Sequence, residues 1–154
     1  MEQGLLHLHN LLRWLVLLFA LLVIFRSVSG MGGNKPFAAG DRKMALFLMI
    51  TCDVQLLLGL ALYYFRGWFT VLTSGGDVMS NKYNRFFAVE HLTGMLIAII
   101  LVHIGYSTVK KNIDDRTKFK KLFWFVTIAL LVILITIPWP FRELVGRPLF
   151  PGMQ

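Results

Sequence analysis

Two histidines, His9 and His91, stand near the starts of two long apolar stretches, in Leu5-Leu-His-Leu-His and Phe86-Phe-Ala-Val-Glu-His. If both stretches are helices that run in the same direction, a rise of about 1.5 Å per residue places both histidines roughly 6–8 Å below the same boundary. Imidazole nitrogen is a common ligand of iron, copper and zinc. If the two helices pack side by side, the pair could bind one flat metal centre from opposite sides. The two histidines alone are too few for a zinc site, which normally requires three or four protein ligands.

The first stretch contains a second histidine, His7, and a helical wheel separates the two. His9, Asn10 and Arg13 share one face with Ala20, whereas His7 points about 160° away from His9. The sequence therefore favours His9 as the ligand. His7 stays an alternative, because a rotation of the helix would exchange the two.

Small residues follow His91 at helical spacing: Gly94, Ala98 and Gly105. Such a stripe is typical of tight helix packing, and it would also leave room for the edge of a porphyrin ring beside Gly94. Two imidazoles with a groove between them favour bis-histidine ligation of haem. A second haem is not expected, because His103 is turned about 120° from the face of His91 and the first stretch has no histidine at that depth.

Arg13 lies roughly 12 Å below the boundary, which is too deep for an unpaired cation. Its candidate partners are Asp53, Gln55, Glu90 and a haem propionate. A structural ion pair and a propionate clamp are both consistent with the pattern, and they do not exclude each other.

Glu90 has three interpretations. It could exchange a proton during oxidation of a quinol, hydrogen-bond a ligand histidine as carboxylates near metal sites do, or pair with Arg85. A proton or ion pathway built from Arg13, Asp53, Gln55 and Glu90 is a further hypothesis. The helical wheel counts against it, because Asp53 and Gln55 fall on nearly opposite faces of their helix.

The elements that carry these residues are predicted from composition. The chain has 154 residues, of which 56% are hydrophobic, and a mean hydropathy of +0.66, well above the level of a soluble domain. Four segments, about 5–28, 44–65, 86–108 and 122–141, have the roughly 20 apolar residues that span a bilayer. They predict an all-α, up-and-down bundle of four transmembrane helices that forms a single domain over residues 1–154. We expect the first helix to be retained rather than cleaved, because no Lys or Arg precedes it.

Charge predicts the orientation. Of the Lys and Arg residues, ten lie in the first and third loops and five on the opposite side. By the positive-inside rule, the two loops are cytoplasmic and both termini are outside. The net charge of +8 is therefore a topology signal that also attracts anionic lipid, and no nucleic-acid partner is expected. The single cysteine, Cys52, excludes a disulfide within the chain.

Four segments also carry a family resemblance: 7–14 (His-Leu-His-Asn-Leu-Leu-Arg-Trp), 53–60, 89–95 and 138–142. Over essentially its whole length the chain resembles the short bacterial membrane proteins called cytochrome b, and more loosely the four-helix cytochrome b561 type. The latter type binds two haems between paired histidines, and the inner pair is missing here. The resemblance implies one haem b near the outer face, with His9 and His91 as axial ligands.

Together these observations predict a haem b electron-transfer protein or subunit in a bacterial cytoplasmic (inner) membrane, with a quinone as a candidate partner. The chain has no nucleophile dyad, Walker loop or dinucleotide fingerprint, so a carrier is favoured over an enzyme. The first alternative is a haem-free accessory subunit of a larger respiratory, secretion or transport complex. The second is the proton or ion pathway.

Overall fold

The computed structural model describes residues 2–33, 35–74 and 78–152, and every regular element in these ranges is helical. The elements are α1 (Glu2–Met31), α2 (Ala39–Phe65), α3 (Trp68–Thr73), α4 (Lys82–Arg85), a π-helical turn (Phe86–Glu90), α5 (His91–Val109) and α6 (Asp115–Thr136).

Four helices are long and apolar enough to cross a membrane: α1, α2, the continuous helix Lys82–Val109, and α6. The prediction of four spans is thus confirmed, although the helices extend beyond the apolar segments at most ends. The fourth helix is the exception. It ends at Thr136 rather than near 141, because Pro138 forces Ile137 into an extended conformation with ψ 133°.

The four long helices form a ring in the order α1, α2, α5, α6. Helices α1 and α5 therefore lie diagonally across the bundle, which corrects the side-by-side arrangement expected for them. The core between the helices is apolar and includes Leu17, Leu48, Ala98, Val102, Val126 and Ala129. Large apolar side chains also cover the outer surface, among them Phe25, Leu57, Ile100 and Ile135, as expected for contact with lipid.

Two aspartates fix the ends of α2 and α6 that adjoin the basic loops. Asp41 is buried in the first turn of α2, where it accepts hydrogen bonds from Arg26 Nε at 2.6 Å and from the Ala38 N–H at 3.0 Å. Asp41 lies three residues inside the N-cap Ala38. Asp114 caps α6 by accepting the Thr117 N–H at 2.8 Å, and hydrogen bonding with Thr117 lowers the pKa of this carboxyl.

One glycine allows the close packing of α1 against α6. A Cβ atom added at Gly30 would clash with the ring of Phe119, which is buried. We expect Gly30→Ala to lower the free energy of unfolding by about 1–3 kcal/mol through overpacking. The matched control is Gly4→Ala in the same helix, where an added Cβ has open space around it. Thermal unfolding in detergent measures both, and equal unfolding temperatures would contradict the packing argument.

Candidate functional site

His9 and His91 face each other inside the bundle. Their ring centroids are 6.4 Å apart and the ring planes are inclined at 67°. Because α1 and α5 lie on opposite corners of the bundle, the two imidazoles approach the space between them from opposite sides. His7, the alternative residue on α1, is exposed, whereas His9 is partly buried.

The ring of His91 is held in place by the end of α6. Its Nδ1 lies 2.9 Å from the carbonyl oxygen of Thr136. A carbonyl can only accept, so Nδ1–H is the donor and the lone pair of the neutral ring is on Nε2. The Thr136 carbonyl is free to accept because α6 ends there, and because the residue four positions on, Pro140, has no N–H.

A π-helical turn directly precedes His91. The His91 N–H donates to the carbonyl of Phe86, five residues earlier, instead of to the residue four positions before it. Such turns shift the register of a helix by one residue and are frequent at functional sites. No pattern in the sequence predicts this turn. Because of this turn, the side chains after it are shifted by one residue around the helix relative to those before it.

The ring of His9 packs against α2. A Cβ atom added at Gly59 would lie 3.3 Å from Cε1 of His9, so only glycine leaves the ring unhindered there. Gln55 donates from Nε2 to the backbone carbonyl of His9 at 3.0 Å. Gln55 therefore fixes the backbone of His9 and leaves its imidazole nitrogens uncommitted.

Arg13 is 6% exposed and contacts the C-terminal tail that follows α6. Its Nη2 donates to the carbonyl of Leu149 at 2.7 Å, and Trp14 Nε1 donates to the same oxygen at 3.0 Å. The guanidinium carbon lies 5.4 Å from the ring centroid of Trp14 and 5.8 Å from that of Trp139. Phe150 stacks on Trp14 at 5.3 Å. The tail therefore packs across α1.

The carboxylates proposed as partners of Arg13 lie elsewhere. Asp53 is 3.3 Å from Nε2 of His103, and Glu90 pairs with Arg85 at 2.7 Å. The ion pair with Arg85, one of the three interpretations of Glu90, is present. Within the described ranges Arg13 makes no ion pair, so the expected bridge to a carboxylate is replaced by the hydrogen bond to the tail.

Both histidines line one cavity. Its free volume is about 140 Å³, whereas ligand pockets typically measure about 300–1,000 Å³, so a bound cofactor requires the surrounding side chains to move apart. Four buried polar atoms of residues that line it form no hydrogen bond within the described part of the chain: His9 Nδ1, Arg13 Nε, Gln55 Oε1 and Arg66 Nε, although Arg66 is ion-paired with Glu2. Buried polar atoms almost always have partners, so a polar group is expected to occupy this cavity.

Two further arginines line the cavity, and the sequence analysis did not assign them to it. Arg66 follows α2 and lies 2.9 Å from Glu2. Arg147, in the tail, donates to the Tyr83 hydroxyl at 2.7 Å. Both had been counted only as surface charges of one side of the membrane. No local pattern marks them, because α2 and the tail meet at the cavity only in the folded bundle.

Gly94 lies beside the site, but its open side faces another helix. An added Cβ would clash with the side chain of Thr136. The glycine thus allows α5 to approach α6 closely enough for His91 to reach the Thr136 carbonyl. Gly94, the first small residue of the stripe, thus serves tight helix packing and does not leave room for a porphyrin edge.

The candidate metal ligands at the site are His9 and His91. Across residues 2–33, 35–74 and 78–152, no three His, Cys, Asp or Glu residues lie close enough together to hold a metal ion. No protein-family model, curated protein or solved structure matches this chain. The function of the chain is therefore inferred from the geometry of this cavity.

Proposed function

We propose that the chain is a membrane electron-transfer protein that binds one haem b between His9 and His91. The observation that carries this proposal is the pair of opposed imidazoles at 6.4 Å in a cavity with unpaired polar atoms. A metal that takes only two protein ligands needs its remaining ligands from elsewhere, and a porphyrin supplies four.

The spacing of the rings fits this arrangement. An imidazole nitrogen lies about 2.0 Å from a bound metal and about 1.1 Å from its own ring centroid, so two opposed ligands have centroids about 6.2 Å apart. The inclination of 67° between the rings is compatible with ligation, since each imidazole can rotate about its bond to the metal. An edge-to-face pair of packed rings spans a similar distance.

The hydrogen bond of His91 supports the ligand role more specifically. Histidines that bind metals usually donate their other ring N–H to a carbonyl or carboxylate, which fixes the tautomer and the ring orientation. His91 donates in this way to Thr136. This bond leaves the Nε2 lone pair available, and it makes Nε2 of His91 the nitrogen that would bind the iron.

Three arginines line the same cavity: Arg13, Arg66 and Arg147. Haem b has two propionates, and arginine is the side chain best suited to bind carboxylates because its donors form a planar fork. We assign these arginines to the propionates. Their existing partners are a backbone carbonyl, a tyrosine hydroxyl and one exposed glutamate, all of which can be exchanged without burying an unpaired charge.

When bound, haem supplies the one-electron chemistry. The chain positions the two imidazoles, provides cations, and surrounds the site with apolar side chains from all four long helices. Orientation follows from the loop charges: both termini and the haem site face outward from a bacterial cytoplasmic membrane. A quinone-level donor or acceptor in the lipid, and an outward-facing partner within a larger respiratory or secretion complex, complete the proposed path.

A reduced-minus-oxidised visible spectrum of the protein, purified in mild detergent and combined with a pyridine haemochrome assay, tests the proposal. The expected result is a b-type signal that corresponds to about one haem per chain. Expression must take place in a host that makes haem. Absence of haem under these conditions, with the helices intact by circular dichroism, would overturn the proposal.

The rival is a haem-free accessory subunit, and one observation favours it. Arg13 and Trp14 already bind the chain's own tail, so the tail and this end of the bundle form one continuous surface that could dock onto a larger complex. Under this reading His9 and His91 are a packed pair of neutral rings. The haem assay separates the two functions directly.

A further inference from the structure

A second pair of ionisable side chains lies inside the apolar region, outside the cavity. His103 Nε2 is 3.3 Å from Asp53 Oδ1, and His103 Nδ1 lies 2.9 Å from the carbonyl of Ile99 in its own helix. A helical rise of about 1.5 Å per residue puts Asp53 roughly 18 Å from the end of α2 at Phe65, and His103 roughly 9 Å from the end of α5 at Val109. Both groups are thus at the depth of the hydrocarbon.

This pair is open to the outside of the bundle. The side chains of His103 and Asp53 are 43% and 42% exposed. Ionisable residues in membrane spans almost always face the bundle interior or a water-filled cavity, because exposure to lipid is costly. Around the pair the surface is apolar, with exposed Ile50, Leu57, Ile100 and Ile104. Exposure of this pair to lipid would be costly, and contact with a further protein surface would remove that cost.

Asp53, His103 and the apolar side chains around them form one surface, the Asp53–His103 patch. This patch is complementary to itself. It contains one acid and one base, on two adjacent helices, α2 and α5. A two-fold axis parallel to the helices would bring Asp53 of one copy toward His103 of another, and the same contact would form twice. Polar side chains join transmembrane helices in this way by hydrogen bonds between them.

We propose that a second copy of this chain covers the α2/α5 face, so that the Asp53–His103 patches of two chains lie at the centre of a two-fold dimer. The flanking apolar side chains form the surrounding contact. This proposal does not depend on haem, because the patch lies on the outer surface and shares no residue with the cavity.

Cysteine cross-linking in native membranes tests which face is covered. Cys52 is replaced by alanine, and a single cysteine is introduced by Leu57→Cys on α2, one turn from Asp53. The control is Ile135→Cys on α6, which is similarly exposed at 72% against 67% for Leu57. We expect an oxidant to give a disulfide-linked dimer with Leu57→Cys and little with Ile135→Cys. Equal cross-linking from both positions, or none from Leu57→Cys, would overturn the proposal.

A dilution experiment measures the contribution of the patch. Fluorescence energy transfer between labelled chains in proteoliposomes, at rising lipid-to-protein ratio, gives the dimer dissociation constant. The double variant Asp53→Leu/His103→Leu is expected to raise that constant about 3- to 20-fold, the range for hydrogen bonds between transmembrane helices. Asp53→Asn/His103→Gln, which keeps hydrogen-bonding groups, should restore most of the association. A wild-type chain that stays monomeric at every ratio, or an unchanged constant in the leucine variant, would contradict the dimer.

Discussion

Replacement of His91 by alanine is expected to abolish haem retention while all four long helices remain inserted. The imidazole of His91 is the better anchored of the two proposed ligands, since its Nδ1–H bond to Thr136 fixes both tautomer and orientation. Changes to the groups that merely orient metal ligands already weaken metal binding by about 10–100-fold. Loss of the ligand itself should exceed that range. The measurement is haem per chain after purification, together with the visible spectrum.

Two controls make the His91 result specific. His103→Ala removes a histidine from the same helix but outside the cavity, and it should leave the haem content unchanged. Free imidazole added to His91→Ala should restore part of the low-spin spectrum, which a general loss of folding would not allow. Equal haem content in the wild type and His91→Ala would refute the ligand assignment.

The second large effect is expected at His9. Alanine there removes the ligand on α1 but leaves the backbone carbonyl that Gln55 binds, so the helix contact persists. We expect haem held by His91 alone, at lower occupancy and with a spectrum that changes from six-coordinate low-spin to five-coordinate high-spin. Resonance Raman or electron paramagnetic resonance spectra distinguish the two states.

His7→Ala is the matched control for His9→Ala, because it changes an exposed histidine two residues away on the same helix. Its spectrum should match that of the wild type. If His7→Ala lost the low-spin signal and His9→Ala kept it, the two histidines would have exchanged roles, and α1 would be rotated relative to the orientation described above.

The proline pair after α6 explains one contact that the sequence could have revealed. Pro138 and Pro140 lie four residues after Leu134 and Thr136, so neither can donate an N–H to those carbonyls. The free carbonyls accept other donors: the Trp139 indole N–H binds Leu134 at 2.8 Å, and His91 binds Thr136 at 2.9 Å. The pattern predicts which carbonyls need partners but not which side chains will reach them.

The sequence by itself determined the number and nature of the spans and the inward face of α1. Apolar length and helical periodicity are local properties, so the four helices and the preference for His9 over His7 as the inward residue followed directly. The separation of Asp53 from Gln55 on α2 followed in the same way. Whether the inward histidines bind a cofactor stays a prediction.

Only the tertiary structure decided how these faces meet. It placed α1 and α5 on a diagonal, brought the tail to Arg13, added Arg66 and Arg147 to the cavity, and paired Asp53 with His103. Each of these contacts joins residues far apart in the chain. Their formation depends on which helices become neighbours when all apolar faces pack at once, and no periodicity within one helix contains that information.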